Sequence, residues 1–243
     1  FVVLLFFCFA VPLRLYGSIR WHLQMCISVR FIVAALLLWL GWGLSPHHID
    51  EYIVASDFVA IGENVWTWIW MYRIHIFGWV TMGIALFALV SVTARKPYRV
   101  LILPGAGMLI IGTFTLAIAN AYFYNFGAWG VGQTAGMSAV EIQEFINDIL
   151  FTNQYVTCFI RFGRVFSGVG LVLLGYGFIR WHIVAKWLGW FTVILGIAAM
   201  GIVMGIPDNY EIYKPLFHVK VIWLVAMGAV ILIKGIHLPK SVG

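Results

Sequence analysis

Five basic side chains of this sequence stand in or beside stretches that are otherwise apolar, and they are the first candidates for chemistry: Arg73, Arg161, Arg164, Lys214 and Lys220. Two of them extend a polar stripe, since Asn153, Thr157, Arg161 and Arg164 follow one another at the spacing of a single helical face. Charges inside apolar helices are costly and usually face a bundle interior, a partner or a headgroup. The stripe therefore predicts a basic site on a helix.

Histidines and acids offer two further sites. His75 and His218 occur on different apolar stretches, and facing helices supply the axial ligands of haem b. A polar loop holds His47, His48, Asp50 and Glu51, whose imidazole and carboxylate groups suit zinc, copper or iron. Adjacent histidines do not share a helical face, and histidines beside an aromatic belt are commonly interfacial. A solvated loop and interfacial residues are therefore the simpler interpretations.

The elements that must position these residues are membrane-spanning helices. The chain is 63% hydrophobic and only 10% charged, a composition that excludes a soluble globular protein. Apolar runs of spanning length predict an all-α, polytopic transmembrane bundle that forms a single domain over residues 1–243. The six full spans are predicted near residues 25–44, 66–93, 100–122, 149–179, 187–206 and 216–233.

Shorter segments connect and flank the predicted spans. Residues 1–13 are apolar but short, which indicates a short or truncated N-terminal segment. The glycine-rich stretch 124–137 is interpreted as a loop, and Ser138 with Glu141 forms the pattern of a capping box that opens an outer amphipathic piece near residues 138–148. Gly201 and Gly205 form a GxxxG pair suited to close helix packing. Cys8, Cys26 and Cys158 have no paired spacing and predict no disulfide framework.

Charge is sorted between alternate loops. Ten of the fifteen Lys and Arg, and none of the nine Asp and Glu, lie around residues 14–30, 95–99, 180–186 and 234–240. The positive-inside rule places these segments in the cytoplasm, so we expect a multi-pass protein of the cell membrane with a cytoplasmic C-terminus. The same sorting explains the net charge of +6 without nucleic acid.

The predicted depth of the basic residues in the membrane places them at a common level. Counted at about 1.5 Å per residue from the inner helix ends, cations of three helices reach the same outer quarter of the membrane. The sequence thus predicts a pocket between the second, fourth and sixth spans for an anion, a lipid headgroup or a quinone. Ion pairs and snorkelling to the headgroups are the structural alternative. The predicted ligand-binding residues are Arg73, Arg161, Arg164, Lys220, Asn153 and Thr157.

The first functional hypothesis is a non-catalytic membrane subunit or scaffold that associates with other membrane proteins or with itself. It follows from the short loops and from the lack of a nucleotide motif or catalytic triad in the sequence. The alternatives are a redox protein that binds quinone or haem b, and a protein that binds or passively conducts an outer-leaflet lipid or anion. A proton-coupled carrier is disfavoured, because the predicted spans contain no acid.

Overall fold

The computed structural model of the protein describes residues 18–45, 55–93, 99–206 and 210–236, which form helices and no strand. The seven main helices are α1 (Ser18–Gly43), α2 (Ala55–Glu63), α3 (Val65–Thr93), α4 (Arg99–Asn125), α5 (Ala139–Trp181), α6 (Lys186–Gly205) and α7 (Tyr210–Lys234).

Six of these helices, all except the short α2, are long and apolar enough to cross a membrane. The prediction of an all-α bundle with six spans is therefore confirmed. The short N-terminal segment 1–13 and the candidate metal loop with His47, His48, Asp50 and Glu51 lie outside the described residues.

The six spans form a closed ring in chain order. Each span packs against the next one along the chain, and α7 returns to pack against α1. At one end of the ring α1, α4 and α6 finish while α3, α5 and α7 begin. We call it the acidic end, because every Asp and Glu of the sequence falls in or beside the segments that join the helices there. The opposite end is called the basic end.

Helix α5 is the longest element and extends beyond the other spans. Its 43 residues form one unbroken helix, about 65 Å long at 1.5 Å per residue. The predicted capping box is confirmed: Ser138 accepts a hydrogen bond from the Glu141 amide, and the Glu141 side chain accepts one from the Ser138 amide. The outer piece predicted near residues 138–148 is thus the start of α5, and α2 packs beside it through Phe58 and Phe145.

The glycine-rich stretch after α4 is helical, so its interpretation as a loop through residues 124–137 was wrong for most of its length. The chain continues from α4 through a π-helical turn, Phe126–Gly130, and a last turn, Val131–Gln133. Packing overrides the low helix propensity of glycine here. The Trp68 ring fills the space where Gly127 would carry a side chain, and the Phe58 ring lies against Gly130 in the same way.

Two seams of glycine hold α4, α5 and α6 together at very short distances. Gly105 and Gly112 of α4 face Gly163 and Gly170 of α5: a methyl group on Gly170 would lie 2.7 Å from the Gly105 carbonyl oxygen. On the other side of α5, a methyl group on Gly168 would lie 2.8 Å from the Gly196 carbonyl oxygen of α6. Small residues let helix backbones approach and gain dispersion energy where lipid offers no hydrophobic driving force.

The predicted GxxxG contact does not form. Within the described parts of the chain, a side chain added at Gly201 or Gly205 would meet nothing within 4 Å, and both residues are exposed. The seams instead use glycines spaced seven residues apart, such as Gly189 and Gly196. Spacing alone did not identify the packed face.

These two classes of glycine give a matched test of the seams. We expect Gly170→Ala to lower the stability of the bundle by about 1–3 kcal/mol, because the added methyl group overlaps the backbone of α4. Gly201→Ala is expected to leave stability unchanged or to raise it slightly, since its methyl group has open space. Thermal unfolding in one detergent would compare them, and equal destabilisation would contradict the packing described.

Candidate functional site

A cavity of about 180 Å³ lies inside the ring, towards the acidic end, and all six spans contribute to its wall. Its surface is mainly aromatic and aliphatic, with a few polar groups. The wall residues are Trp42 and Ser45 near the end of α1; Trp68, Met71, Tyr72, His75 and Trp79 of α3; Leu116, Asn120 and Phe123 of α4; Ile160, Arg164, Ser167 and Leu171 of α5; Leu195 and Ala199 of α6; and Tyr213, Lys214, Leu216, Phe217 and Lys220 of α7.

The charged groups of the cavity wall all have the same sign. Arg164, Lys214 and Lys220 line it, and no Asp or Glu is found among the described residues of the wall. Arg164 and Lys220 come from helices on opposite sides of α6, and both line the same cavity. Aromatic faces support both: the Arg164 guanidinium lies 3.8 Å from the Tyr213 ring centroid, and the Lys220 ammonium lies 4.8 Å from that of Trp79. Such cation–π contacts stabilise a cation without neutralising it.

Two hydroxyl groups beside these cations make no hydrogen bond within the described part of the chain: Ser167 Oγ and Tyr213 OH. Their side chains are buried, with exposed fractions of 2% and 4%. A buried polar group without a partner costs about 1–3 kcal/mol, so it is normally satisfied by water or by a ligand. The Ser167 hydroxyl, one turn from Arg164, lies in the seam against Gly112 of α4, where an added methyl group would overlap it. Tyr213 is therefore the hydroxyl-bearing residue in direct contact with a cation of the wall.

Helix α3 is held firmly against its neighbours and thereby fixes one wall of the cavity. The buried indole of Trp68 donates a 2.9 Å hydrogen bond from Nε1 to the Phe123 carbonyl oxygen of α4. His75 Nε2 lies 3.2 Å from the Leu38 carbonyl oxygen, and its ring occupies the space that a side chain at Gly41 would need. Ring contacts of Phe217 with Trp42 and His75 join α7 to this wall.

Two of the residues predicted from sequence to bind a ligand, Arg164 and Lys220, line the cavity. His75, one of the two predicted haem ligands, lines it as well. The wall does not include Arg161, although this residue is only one turn from Arg164. Arg73 lies outside as well: it donates a 2.9 Å hydrogen bond to the Tyr124 hydroxyl and packs over the Trp70 and Tyr124 rings.

Asn153 and Thr157 are buried against α4 and do not line the cavity. The Tyr122 hydroxyl donates a 2.8 Å hydrogen bond to Asn153 Oδ1. The Thr157 hydroxyl donates to the Asn153 carbonyl oxygen at 3.0 Å. This part of the predicted polar stripe connects two helices, and the stripe faces the cavity only from Arg164 onwards.

The two histidines considered for haem b do not face a common space. His75 lines the cavity, whereas the His218 ring packs against Trp42 of α1 and accepts a 3.3 Å hydrogen bond from Trp39 at Nδ1. The Phe217 ring contacts both imidazoles. This arrangement does not fit two axial ligands on opposite faces of one haem.

Metal and thiol chemistry find little support in the described residues. They contain no group of three His, Cys, Asp or Glu residues that could hold a metal ion. Cys158 is an exposed free thiol. Cys26 is disulfide-bonded, a pairing that cysteine spacing did not anticipate.

Sequence reasoning missed Ser167 and Tyr213 as candidate site residues. Ser167 lies three residues after Arg164 and so continues the helical face that the stripe begins, a signal that was available. Tyr213 gave no such signal, because its position depends on how α7 packs beside α5 and α6. Trp68 and Trp79 of the wall are buried.

No family model, curated protein or solved structure matches this chain.

The polar stripe gives a testable separation of roles. We expect Asn153→Ala to lower the stability of the bundle by about 1 kcal/mol, because it removes the hydrogen-bond partner of the half-buried Tyr122 hydroxyl. Binding in the cavity should be unaffected. Thermal unfolding with and without an anion would measure both effects, and a variant that unfolds like the wild type but no longer responds to the anion would contradict this assignment.

Proposed function

We propose that this protein is a membrane receptor or carrier that binds a small anionic group in its central cavity. One observation carries the proposal. Arg164 and Lys220, both basic, line the same cavity, and the described residues of its wall include no Asp or Glu. Two like charges in a low-dielectric interior repel each other, and each costs free energy to bury. A bound anion would offset both costs.

The other properties of the cavity agree with this ligand. A carboxylate or a phosphate accepts several hydrogen bonds, and the Tyr213 hydroxyl is a buried donor without a partner among the described residues. An engineered apolar cavity of about 150 Å³ holds benzene, so about 180 Å³ has room for one headgroup or one small ring. The aromatic wall suits a ligand whose remainder is apolar.

The charge of the wall favours an anion over a neutral quinone, which needs hydrogen-bond donors but gains little from two positive charges. A scaffold or subunit role has no comparable support. The exposed apolar side chains on the perimeter, such as Phe87, Ile111 and Ile194, are what a lipid environment alone requires. We therefore do not extend the proposal to a partner protein.

For orientation, we propose that the protein resides in the cell membrane with its basic end in the cytoplasm and its C-terminus inside. The distribution of Lys and Arg between alternate loops supports this topology. The cavity would then open towards the outer leaflet.

Cysteine labelling tests the topology with two exposed positions. In a Cys158→Ser background, Glu144→Cys at the acidic end should react with a membrane-impermeant maleimide on intact cells. Lys186→Cys at the basic end should react only after permeabilisation. The reverse pattern would refute the proposed orientation and leave the cavity itself untouched.

Ligand-induced stabilisation tests the proposed function. The purified protein is heated in neutral detergent with inorganic phosphate, with acetate, with a long-chain fatty acid or with a lysophospholipid that carries a phosphate headgroup. A ligand at a hundredfold excess over its Kd stabilises the folded state by about 2.7 kcal/mol. We expect at least one of these anions to raise the unfolding temperature, and a neutral long-chain alcohol to have no such effect.

Variants connect that stabilisation to the cavity. Lys220→Met and Arg164→Gln should abolish the response, and without an anion Lys220→Met should be at least as stable as the wild type, because it removes a like-charged neighbour. Arg73→Gln is the matched control, since Arg73 does not line the cavity, and it should keep the full response. No anion response in the wild type, or the same response in Lys220→Met, would refute the proposal.

A further inference from the structure

The ring of helices is unevenly closed. The glycine seam presses α6 closely against α5, and Gly228 of α7 lies close to α1, where an added methyl group would be 2.8 Å from the Ser28 carbonyl oxygen. Between α6 and α7, by contrast, the two helices pack far more thinly than any other neighbouring pair of spans. This α6–α7 seam is the weakest part of the wall.

A hydrogen bond divides the seam into two parts. The buried Trp223 indole of α7 donates from Nε1 to the Thr192 hydroxyl of α6 at 2.8 Å. On the acidic-end side of this bond, the cavity wall is made by Leu195 and Ala199 of α6 and by Leu216 and Lys220 of α7. Each of these residues lies within about two helical turns of Thr192 on α6 or of Trp223 on α7. The cavity therefore borders the acidic-end part of this thinly packed seam.

On its outer side α6 faces hydrocarbon. Ile194, Ile197 and Met204 are exposed by 61%, 56% and 77%, and Gly201 and Gly205 leave open space along the same part of the helix. Only α6, with the small Ala199 in the cavity wall, stands between this surface and the cavity. Lys220 lies on the cavity side of the seam, within reach of an anion that arrives from the bilayer.

We infer that the ligand is a single-chain anionic amphiphile, which enters sideways between α6 and α7 and leaves its chain in the seam. This inference rests on the proposed function and names the ligand class of the same site. A cavity of about 180 Å³ accommodates a headgroup, but a long acyl chain must lie outside it. The seam leads from the cations directly to the hydrocarbon, so the head would sit at Arg164 and Lys220 and the chain between α6 and α7.

Photo-crosslinking tests the route. A long-chain fatty acid with a diazirine near the end of its chain is added to the protein in a neutral-lipid nanodisc and irradiated, and the labelled peptides are identified by mass spectrometry. We expect adducts concentrated on α6 and α7, around Leu195, Ala199 and Leu216. Lys220→Met should reduce this labelling by about tenfold, the effect of losing one hydrogen bond to a charged group, whereas Arg73→Gln should not.

The outcomes separate this inference from the proposed function. If inorganic phosphate or acetate stabilises the wild type as well as the fatty acid does, and the adducts spread evenly over the perimeter, the cavity binds a free anion and the lateral route is refuted. Adducts concentrated on other helices would also refute it. If no anion stabilises the protein, the proposed function itself fails. Adducts on α6 and α7 that depend on Lys220 support both.

Discussion

Two positive charges, Arg164 and Lys220, share one cavity in an otherwise apolar bundle, and electrostatic repulsion between them is the constraint on which the account depends. The cations rest on the faces of Tyr213 and Trp79, which lowers the cost of burial but leaves the charge in place. The described residues of the wall include no Asp or Glu. A bundle that needed only stability would have apolar residues at these positions, because replacing buried charges by well-packed apolar side chains is often neutral or stabilising.

The framework around the cations combines rigid and weak contacts. Glycine seams fix α4, α5 and α6 as a unit, so that Arg164 and Ser167 stand on a helix with closely packed neighbours on both sides. The Trp68 and His75 contacts hold α3 against α4 and α1. The interface between α6 and α7 differs from these close interfaces, because the two helices pack thinly. A hydrogen bond from Trp223 to Thr192 connects them near the middle of the seam. A fixed site beside a loosely closed wall is what a protein needs if its ligand arrives from the membrane.

The sequence predicted the spans well because membrane helices depend on local hydropathy and length. Counting residues along each helix also placed Arg164 and Lys220 at a similar depth, and both line the cavity. What it missed depends on which way each helix faces. Arg73 was predicted at the level of the other cations, but it bonds to Tyr124, and Asn153 bonds to Tyr122. Tyr213 enters the site only because the ring closes. The glycine pair at Gly201 and Gly205 has the expected spacing on a face that packs against nothing.

The most direct test of the central claim is an experimental density map of the protein purified in its native lipids, with no ligand added. We expect an elongated density whose head contacts Arg164 and Lys220 beside Tyr213, and whose chain leaves the cavity between α6 and α7. A cavity that contains only separate water molecules, or an acidic side chain of this protein paired with both cations, would contradict it.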